Sequence, residues 1–169
     1  MVDVYKNCPE YENEDYLVRM VCQEDRMDLL KVYSDKRAVP FFNSDNCGGD
    51  DFYYTFWAKS DTDGTKMYIG ATQLYDPKNN GGDSEGFVRL TIVSKATDEA
   101  IGTIELFHRD ADDYFTNCGL LRLDIHSDYE MTSEIIKILR LIMEPAYSLF
   151  HCDKIATKRF PLRQNVLWR

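Results

Sequence analysis

The chain has 169 residues and a mass of 19.7 kDa, which is enough for one domain with a substantial core. Its formal net charge of −9 argues against a nucleic-acid partner, because non-specific affinity for DNA or RNA comes mainly from basic residues that neutralise phosphates. No segment has the roughly 20 consecutive apolar residues that span a bilayer, so we expect no membrane partner. The five cysteines form no CxxC pair, which predicts no metal site, no disulfide framework and a cytoplasmic location.

The N-terminal third predicts an acidic arm followed by a strand and a helix. Residues 1–15 are rich in acids and lack the pattern of a signal peptide, so we interpret residues 16–169 as the single folded domain. "YLVRMVC" (16–22) alternates at period two, which is typical of a strand. "EDRMDLLKVYSD" (24–35) follows with Met27, Leu30 and Tyr33 at helical spacing. The aromatic-rich segment 51–75 predicts one or two short helices.

The C-terminal half carries clearer signals. "FVRLTIVS" (87–94) and "AIGTIELF" (100–107) are joined by a polar turn and predict a hairpin, and "NCGLLRLDI" (117–125) predicts a further strand. A buried helical stripe and the short strand "KIATK" (154–158) complete a crossover. The order strand, helix, helices, hairpin, strand, helix, strand predicts an α/β fold with a mixed sheet and helices on both faces. The buried stripe of the crossover helix consists of Ile135, Ile138, Leu139 and Ile142.

This order resembles the GNAT superfamily of acyl-CoA-dependent N-acetyltransferases. The strongest local match is "VRLTIVSKATDEAIGTIELF" (88–107), because two strands of that family commonly read I-x-x-K-x-T-x-E-x-I-G-T-I. The sequence is most similar to the branch that acetylates ribosomal proteins and other protein N-termini, and the resemblance runs from about residue 16 to 158. The family continues into further strands beyond the point where this chain ends, so the resemblance implies a truncated C-terminal part. A sheet edge uncovered in this way predicts a homodimer or a tendency to aggregate.

The resemblance implies a function. Such a protein transfers an acetyl group from acetyl-CoA, its co-substrate, to a primary amine, with no metal ion. The acceptor is a small molecule or a peptide, such as a protein N-terminus, an amino acid or a small amine. The alternative is a catalytically inactive GNAT-fold module that binds a ligand or another protein.

The segment "LDIHSDYEMTSEIIKIL" (123–139) runs from a strand through a turn into a helix. In the family, this strand binds the pantetheine arm and a turn of pattern R/Q-x-x-G-x-G/A binds the pyrophosphate, because N–H groups at a helix start point at the anion. Alignment on the helix end "EPAYSLFHCDKI" places Glu130 at the Arg/Gln position, Ser133 at the first glycine and Ile135 at the Gly/Ala position, and all three depart from the pattern. The resemblance implies that the co-substrate contacts Leu123, Ile125, Tyr129, Glu130, Met131, Thr132, Ser133 and Ile135.

The same turn has a purely structural interpretation. "SDYE" (127–130) matches a capping box, in which a serine and a glutamate satisfy the first N–H groups of a helix. Asp128 and Glu130 would repel a pyrophosphate, whereas both would suit a helix start without a ligand. The sequence leaves the two interpretations open.

Two carboxylates are candidates for the general base that amine acetylation requires, since the acceptor ammonium must lose a proton before it attacks. Glu105 lies on the second hairpin strand and Asp124 on the next strand. The alternative for each is a strand residue that faces solvent.

Overall fold

The computed structural model describes residues 4, 8–38, 88–110, 112, 114 and 116–157. The helices predicted between residues 51 and 75 lie outside the described residues. The described elements follow the predicted order, apart from one short additional strand near the N-terminus. They are β1 (Tyr11–Glu12), β2 (Tyr16–Met20), α1 (Arg26–Ser34), β3 (Val88–Ser94), β4 (Glu99–Arg109), β5 (Cys118–Ile125), α2 (Thr132–Leu149) and β6 (Lys154–Thr157).

The six strands form one mixed sheet in chain order, β1-β2-β3-β4-β5-β6. Neighbours from β1 to β5 pair antiparallel, whereas β5 and β6 pair parallel, because α2 carries the chain back across the sheet between them. The predicted mixed sheet with helices on both faces is confirmed.

One face of the sheet is apolar and packs against α2. Leu90, Ile104 and Leu123 align in one cross-strand row on β3, β4 and β5, and all three are buried. They share a core cluster with Ile138 and Ile142 of α2, which are fully buried. The predicted helical stripe therefore lies on the sheet. Neither α1 nor α2 is long and apolar enough to cross a membrane.

The other face is polar and lies under α1. Thr91, Thr103 and Asp124 form the next cross-strand row, so their side chains point away from α2, because successive strand residues face opposite sides. α1 packs mainly against β4 and buries Leu29 and Val32. All three polar residues of this row are buried.

The buried side of α1 differs from the prediction. Leu29, Val32 and Tyr33 are its buried residues, whereas Met27 is 59% exposed and Leu30 is half-buried. Of the three predicted positions only Tyr33 is buried, and it lies four residues after Leu29 on the side of α1 that faces the sheet.

Part of the predicted acidic arm is built into the sheet. β1 pairs with β2, and Val4 and Cys8 are buried in the core cluster on the α2 side. Lys137 of α2 holds this segment through an ion pair with Asp15 at 2.9 Å. Residues 8–15 are therefore not a free arm, while the domain boundary at residue 15 stays a prediction.

Candidate functional site

At the end of β5, backbone N–H and C=O groups lie along the strand edge that faces away from β4. Within the described residues, β6 pairs with β5 only along Cys118–Leu121. The N–H of His126 donates to Ile101 O in β4 at 2.8 Å. Because backbone groups alternate in direction along a strand, those of Leu123 and Ile125 point to the opposite edge. This is the strand segment that, by the family resemblance, is expected to bind a pantetheine arm.

The turn after β5 leads into the start of α2. Ser127–Tyr129 form a short 3₁₀ turn, in which the His126 side chain accepts a hydrogen bond from the N–H of Asp128. α2 begins only at Thr132, with Met131 as its N-cap and no capping hydrogen bond from that side chain. The predicted capping box at 127–130 is therefore wrong, because a separate turn lies between Ser127 and the helix.

The charges around this turn partly offset one another. Asp128 is 65% exposed, and its carboxylate pairs with the Arg37 guanidinium at 3.2 Å. Arg37 follows α1, so a second element of the fold supplies a cation to a turn whose own sequence carries two acids.

Asp35, the residue that caps the C-terminal end of α1, fixes this arrangement. Its carboxylate accepts hydrogen bonds from the N–H groups of Ser127 and Arg37, both at 3.0 Å, and lies 3.4 Å from His126 Nε2. Burial alone would raise the pKa of Asp35, but the hydrogen bonds from Ser127 and Arg37 and the nearby imidazole hold it well below its usual range. The ionised carboxylate thus fastens the end of α1 to the turn.

Every second residue at the end of α1 contacts the end of β5 or the turn. Tyr33 reaches Asp124, Asp35 reaches Ser127, and Arg37 reaches Asp128. The contacts occur in the same chain order in both segments, so a single line of polar contacts joins them. We call this line the α1–β5 seam, and it consists of Tyr33, Asp35, Arg37, Asp124, His126, Ser127 and Asp128.

The two predicted bases have different surroundings. Glu105 is 6% exposed and is held by Arg89 Nε at 2.8 Å, with Arg122 Nη1 at 3.6 Å. Asp124 is 3% exposed and accepts a hydrogen bond from the Tyr33 hydroxyl at 3.4 Å. The interpretation of either residue as a solvent-facing strand position is therefore wrong, because both side chains are buried.

The predicted co-substrate residues follow one another from the end of β5 to the first turn of α2, but one of their side chains points into the core. Leu123 and Ile125 end β5, Tyr129, Glu130 and Met131 form the turn, and Thr132 and Ser133 begin α2. The side chain of Ile135, by contrast, is buried in the core cluster under α2. The described residues contain no group of three His, Cys, Asp or Glu side chains arranged to hold a metal ion.

Sequence reasoning missed the contribution of α1 to this region. One signal was present, since Asp35 places an acid at a helix C-terminus, where the macrodipole disfavours negative charge. An acid in that position indicates a partner elsewhere in the fold. Its partner, Ser127, lies 92 residues away, and no local pattern could have identified it.

The fold is similar to that of solved GNAT acetyltransferases, and the predicted resemblance in fold is confirmed. No family model matches the sequence, and no curated protein matches it significantly. Ribosomal-protein-S5-alanine acetyltransferase from Vibrio fischeri is similar in structure, with a TM-score of 0.54 at 13% identity, over 83% of this chain and 68% of that one.

Two further solved structures agree. A GNAT-family acetyltransferase from Bacillus anthracis superposes with a TM-score of 0.51 at 11% identity, over 83% of this chain and 67% of that one. A GCN5-related N-acetyltransferase from Brucella melitensis gives a TM-score of 0.52 at 10% identity, over 85% of this chain and 57% of that one. At these identities the likeness establishes the fold, and the activity has to be argued from the residues of this chain.

Proposed function

We propose that this protein is an acyl-CoA-dependent N-acetyltransferase that transfers an acetyl group from acetyl-CoA to a primary amine. The observation that carries the proposal is the outer edge of β5 at Leu123 and Ile125, which leads directly to the start of α2 in a GNAT fold. An extended pantetheine arm can hydrogen-bond to such an edge as an added strand would.

The backbone N–H groups at the start of α2 suit a pyrophosphate. The N–H groups of Glu134 and Ile135 both bond back to Met131 O at 3.0 Å, so the helix donors that precede them belong to Thr132 and Ser133. Donors at a helix start favour an anion through the aligned peptide dipoles. Thr132 and Ser133 would hold the phosphates, and Leu123 and Ile125 the arm.

The side chains of the turn suit the pyrophosphate only in part. Asp128 and Glu130 oppose an anion, whereas Arg37 favours it and already neutralises Asp128. Each charge is worth on the order of 1 kcal/mol near a protein surface. Because Arg37 offsets Asp128, the backbone donors support binding and the Glu130 carboxylate weakens it.

The acceptor in this proposal is a primary amine: a protein N-terminus, an amino acid or a small amine. A net charge of −9 favours the approach of a cation over that of a nucleic acid. The buried Asp124 on the polar face supplies a group that can take the ammonium proton. The predicted homodimer and cytoplasmic location stay predictions.

The test has a binding part and a turnover part. Isothermal titration with acetyl-CoA should give a dissociation constant of roughly 10 μM to 1 mM, the upper part of the usual range for enzyme substrates. Mass spectrometry should then detect an acetylated product from a panel of peptides with free N-termini, amino acids and polyamines. ATP, which carries phosphates but no pantetheine arm, serves as the control for binding through phosphate charge alone.

The two parts separate the proposed enzyme from the inactive module. Binding together with acetylation of at least one amine supports the enzyme. Binding without turnover across the panel supports a GNAT-fold binding protein. Absence of acetyl-CoA binding rejects the proposed function.

A further inference from the structure

Glu134 places a negative charge in the first turn of α2, where the pyrophosphate is proposed to bind. It is the third residue of the helix and lies three positions after the N-cap, Met131. A glutamate at this position can turn back toward the N–H groups of its own helix start, as it does in a capping box. In that orientation it would compete with a phosphate for the donors of Thr132 and Ser133. The direction of this side chain therefore bears on co-substrate binding.

Three neighbouring side chains engage the Glu134 carboxylate. The Tyr16 hydroxyl, from β2, donates a hydrogen bond to Glu134 Oε2, although the two residues are 118 positions apart in the sequence. Lys137 Nζ lies 3.3 Å from Glu134 Oε1, and Ser133 Oγ donates to the same oxygen at 3.3 Å. The hydrogen bond from Tyr16 and the nearby Lys137 ammonium lower the pKa of Glu134 from its usual value, against the effect of its partial burial. The carboxylate is therefore ionised at neutral pH and is directed to Tyr16.

The turn between β1 and β2 fixes the Tyr16 and Lys137 side chains. Asn13 Oδ1 accepts hydrogen bonds from the N–H groups of Asp15 and Tyr16 at 2.9 and 2.8 Å, which sets the backbone where β2 begins. Asp15 pairs with Lys137 Nζ at 2.9 Å, and Asn13 Nδ2 donates to the carbonyl oxygen of Lys137 at 3.3 Å. Tyr16 is 3% exposed, so its ring is held by close packing. We call Asn13, Asp15, Tyr16 and Lys137 the Glu134 clamp.

We propose, as an extension that rests on the proposed function, that Tyr16 and Lys137 are positioning residues for acetyl-CoA binding. They hold the Glu134 carboxylate against β2 and so leave the N–H groups of Thr132 and Ser133 to the pyrophosphate. The Lys137 ammonium also offsets the charge that Glu134 brings to this end of the helix. The Glu134 clamp thereby sets co-substrate affinity through Glu134 rather than through a contact of its own.

Tyr16→Phe tests this role by isothermal titration of the full chain with acetyl-CoA. The variant keeps the buried ring and removes the hydroxyl, so the Glu134 carboxylate can turn toward the helix start. Acetyl-CoA affinity should fall about fivefold, since an opposing unit charge near a protein surface changes binding by about that factor. The loss should shrink as salt is raised, because charges near the surface are screened.

Glu134→Gln separates this effect from a general loss of packing. In the wild-type background, where the carboxylate is already held aside, the substitution should change the affinity by less than about twofold. In the Tyr16→Phe background it should restore the affinity to within about twofold of wild type, because glutamine carries no charge to oppose the phosphates. Such non-additivity is expected of residues that act through each other.

Tyr11→Phe is the matched control. Tyr11 lies on β1, beside β2, and packs against the core cluster that contains Tyr16. The change removes the same atom from the same N-terminal segment and leaves the contacts of Glu134 in place, so the acetyl-CoA affinity should stay within about twofold of wild type. Melting temperatures of all variants are measured so that each titration is run on folded protein.

Lys137→Gln provides a second, independent measurement. Lys137 is exposed, so its replacement leaves the core intact and decides the question even where Tyr16→Phe does not fold. The variant should weaken acetyl-CoA binding, because the Glu134 charge is no longer offset. In a Glu134→Gln background the loss should be at most about half as large, since the carboxylate that Lys137 offsets is gone.

The outcomes separate this role from the function on which it rests. A wild-type protein that binds no acetyl-CoA overturns both. If the wild type binds and folded Tyr16→Phe keeps its affinity within about twofold, the positioning role of Tyr16 is wrong and the proposed function stands. A loss in Tyr16→Phe that Glu134→Gln does not relieve comes from packing and overturns the route through Glu134. A Lys137→Gln loss of equal size in both backgrounds overturns the role of Lys137 in the same way.

Discussion

The carboxylate of Asp35 accepts a hydrogen bond from the Ser127 N–H at 3.0 Å, across 92 residues of sequence. This contact joins the end of α1 to the turn that begins the candidate site. Replacing Asp35 by alanine leaves the Ser127 N–H without this acceptor, which should lower the free energy of unfolding by about 1–3 kcal/mol. Urea unfolding at pH 7 measures the loss, and Asp153→Ala, at an exposed position, should change it by less than about 0.5 kcal/mol.

The same contact predicts a pH dependence. The folded-state pKa of Asp35 lies below its usual range, because burial is outweighed by the hydrogen bonds from Ser127 and Arg37. Its stabilising contribution is therefore complete above the unfolded value, about pH 4, and is lost as pH falls through the folded value. The difference between wild type and Asp35→Ala should thus shrink below pH 4. A difference that stays constant from pH 7 to pH 2 would contradict the assignment of this carboxylate as the stabilising group.

Glu130 should weaken acetyl-CoA binding. Changing Glu130 to Gln removes one negative charge near the start of α2 with little change in shape, which should tighten binding about fivefold, or about 1 kcal/mol. The gain should diminish at higher salt because the site is near the surface. Glu144→Gln provides the control, since the same change lies on α2 about 18 Å beyond its first residue, Thr132, and should have no effect. Equal acetyl-CoA affinities for wild type and Glu130→Gln would contradict the assignment of the pyrophosphate to this turn.

Gly102 should not tolerate a side chain. A Cβ at this position would lie 2.4 Å from the carbonyl oxygen of Asp124 and 3.0 Å from Ile125 Cα, and neither backbone atom can move without shifting β5. Gly102→Ala should cost about 2–3 kcal/mol of stability and also lower acetyl-CoA affinity, because it displaces the strand that carries the site.

Gly119 offers the comparison in the same sheet. A Cβ there would lie 2.9 Å from the sulfur of Cys152, a side-chain atom. The cost of Gly119→Ala should therefore fall when Cys152 is also changed to Ala, whereas the Gly102→Ala cost should not respond to that change. Thermal unfolding of Cys152→Ala, the two glycine variants and the two double variants measures both effects.

Much of the fold followed from local patterns. The hairpin, β5 and the buried stripe of α2 were predictable because period two and period 3.6 are properties of each segment alone. The burial of Thr103, Glu105 and Asp124 was not predictable in this way. Alternation shows that these residues face away from the apolar core, but it cannot distinguish solvent from a second layer formed by α1. The α1–β5 seam was missed for the same reason, since its two halves meet only in three dimensions.

The division of the sheet into an apolar α2 face and a hydrogen-bonded α1 face has a consequence for how the sequence can change. Substitutions such as Ile138→Val on one side and Thr103→Val on the other lie in separate layers, so their free-energy changes should add. The α2 layer can therefore lose or gain stability without altering the polar layer where the proposed chemistry lies. Mutational drift in one layer places little constraint on the other, and stabilising changes can be sought under α2, away from Leu123, Ile125 and Ile135, without disturbing activity.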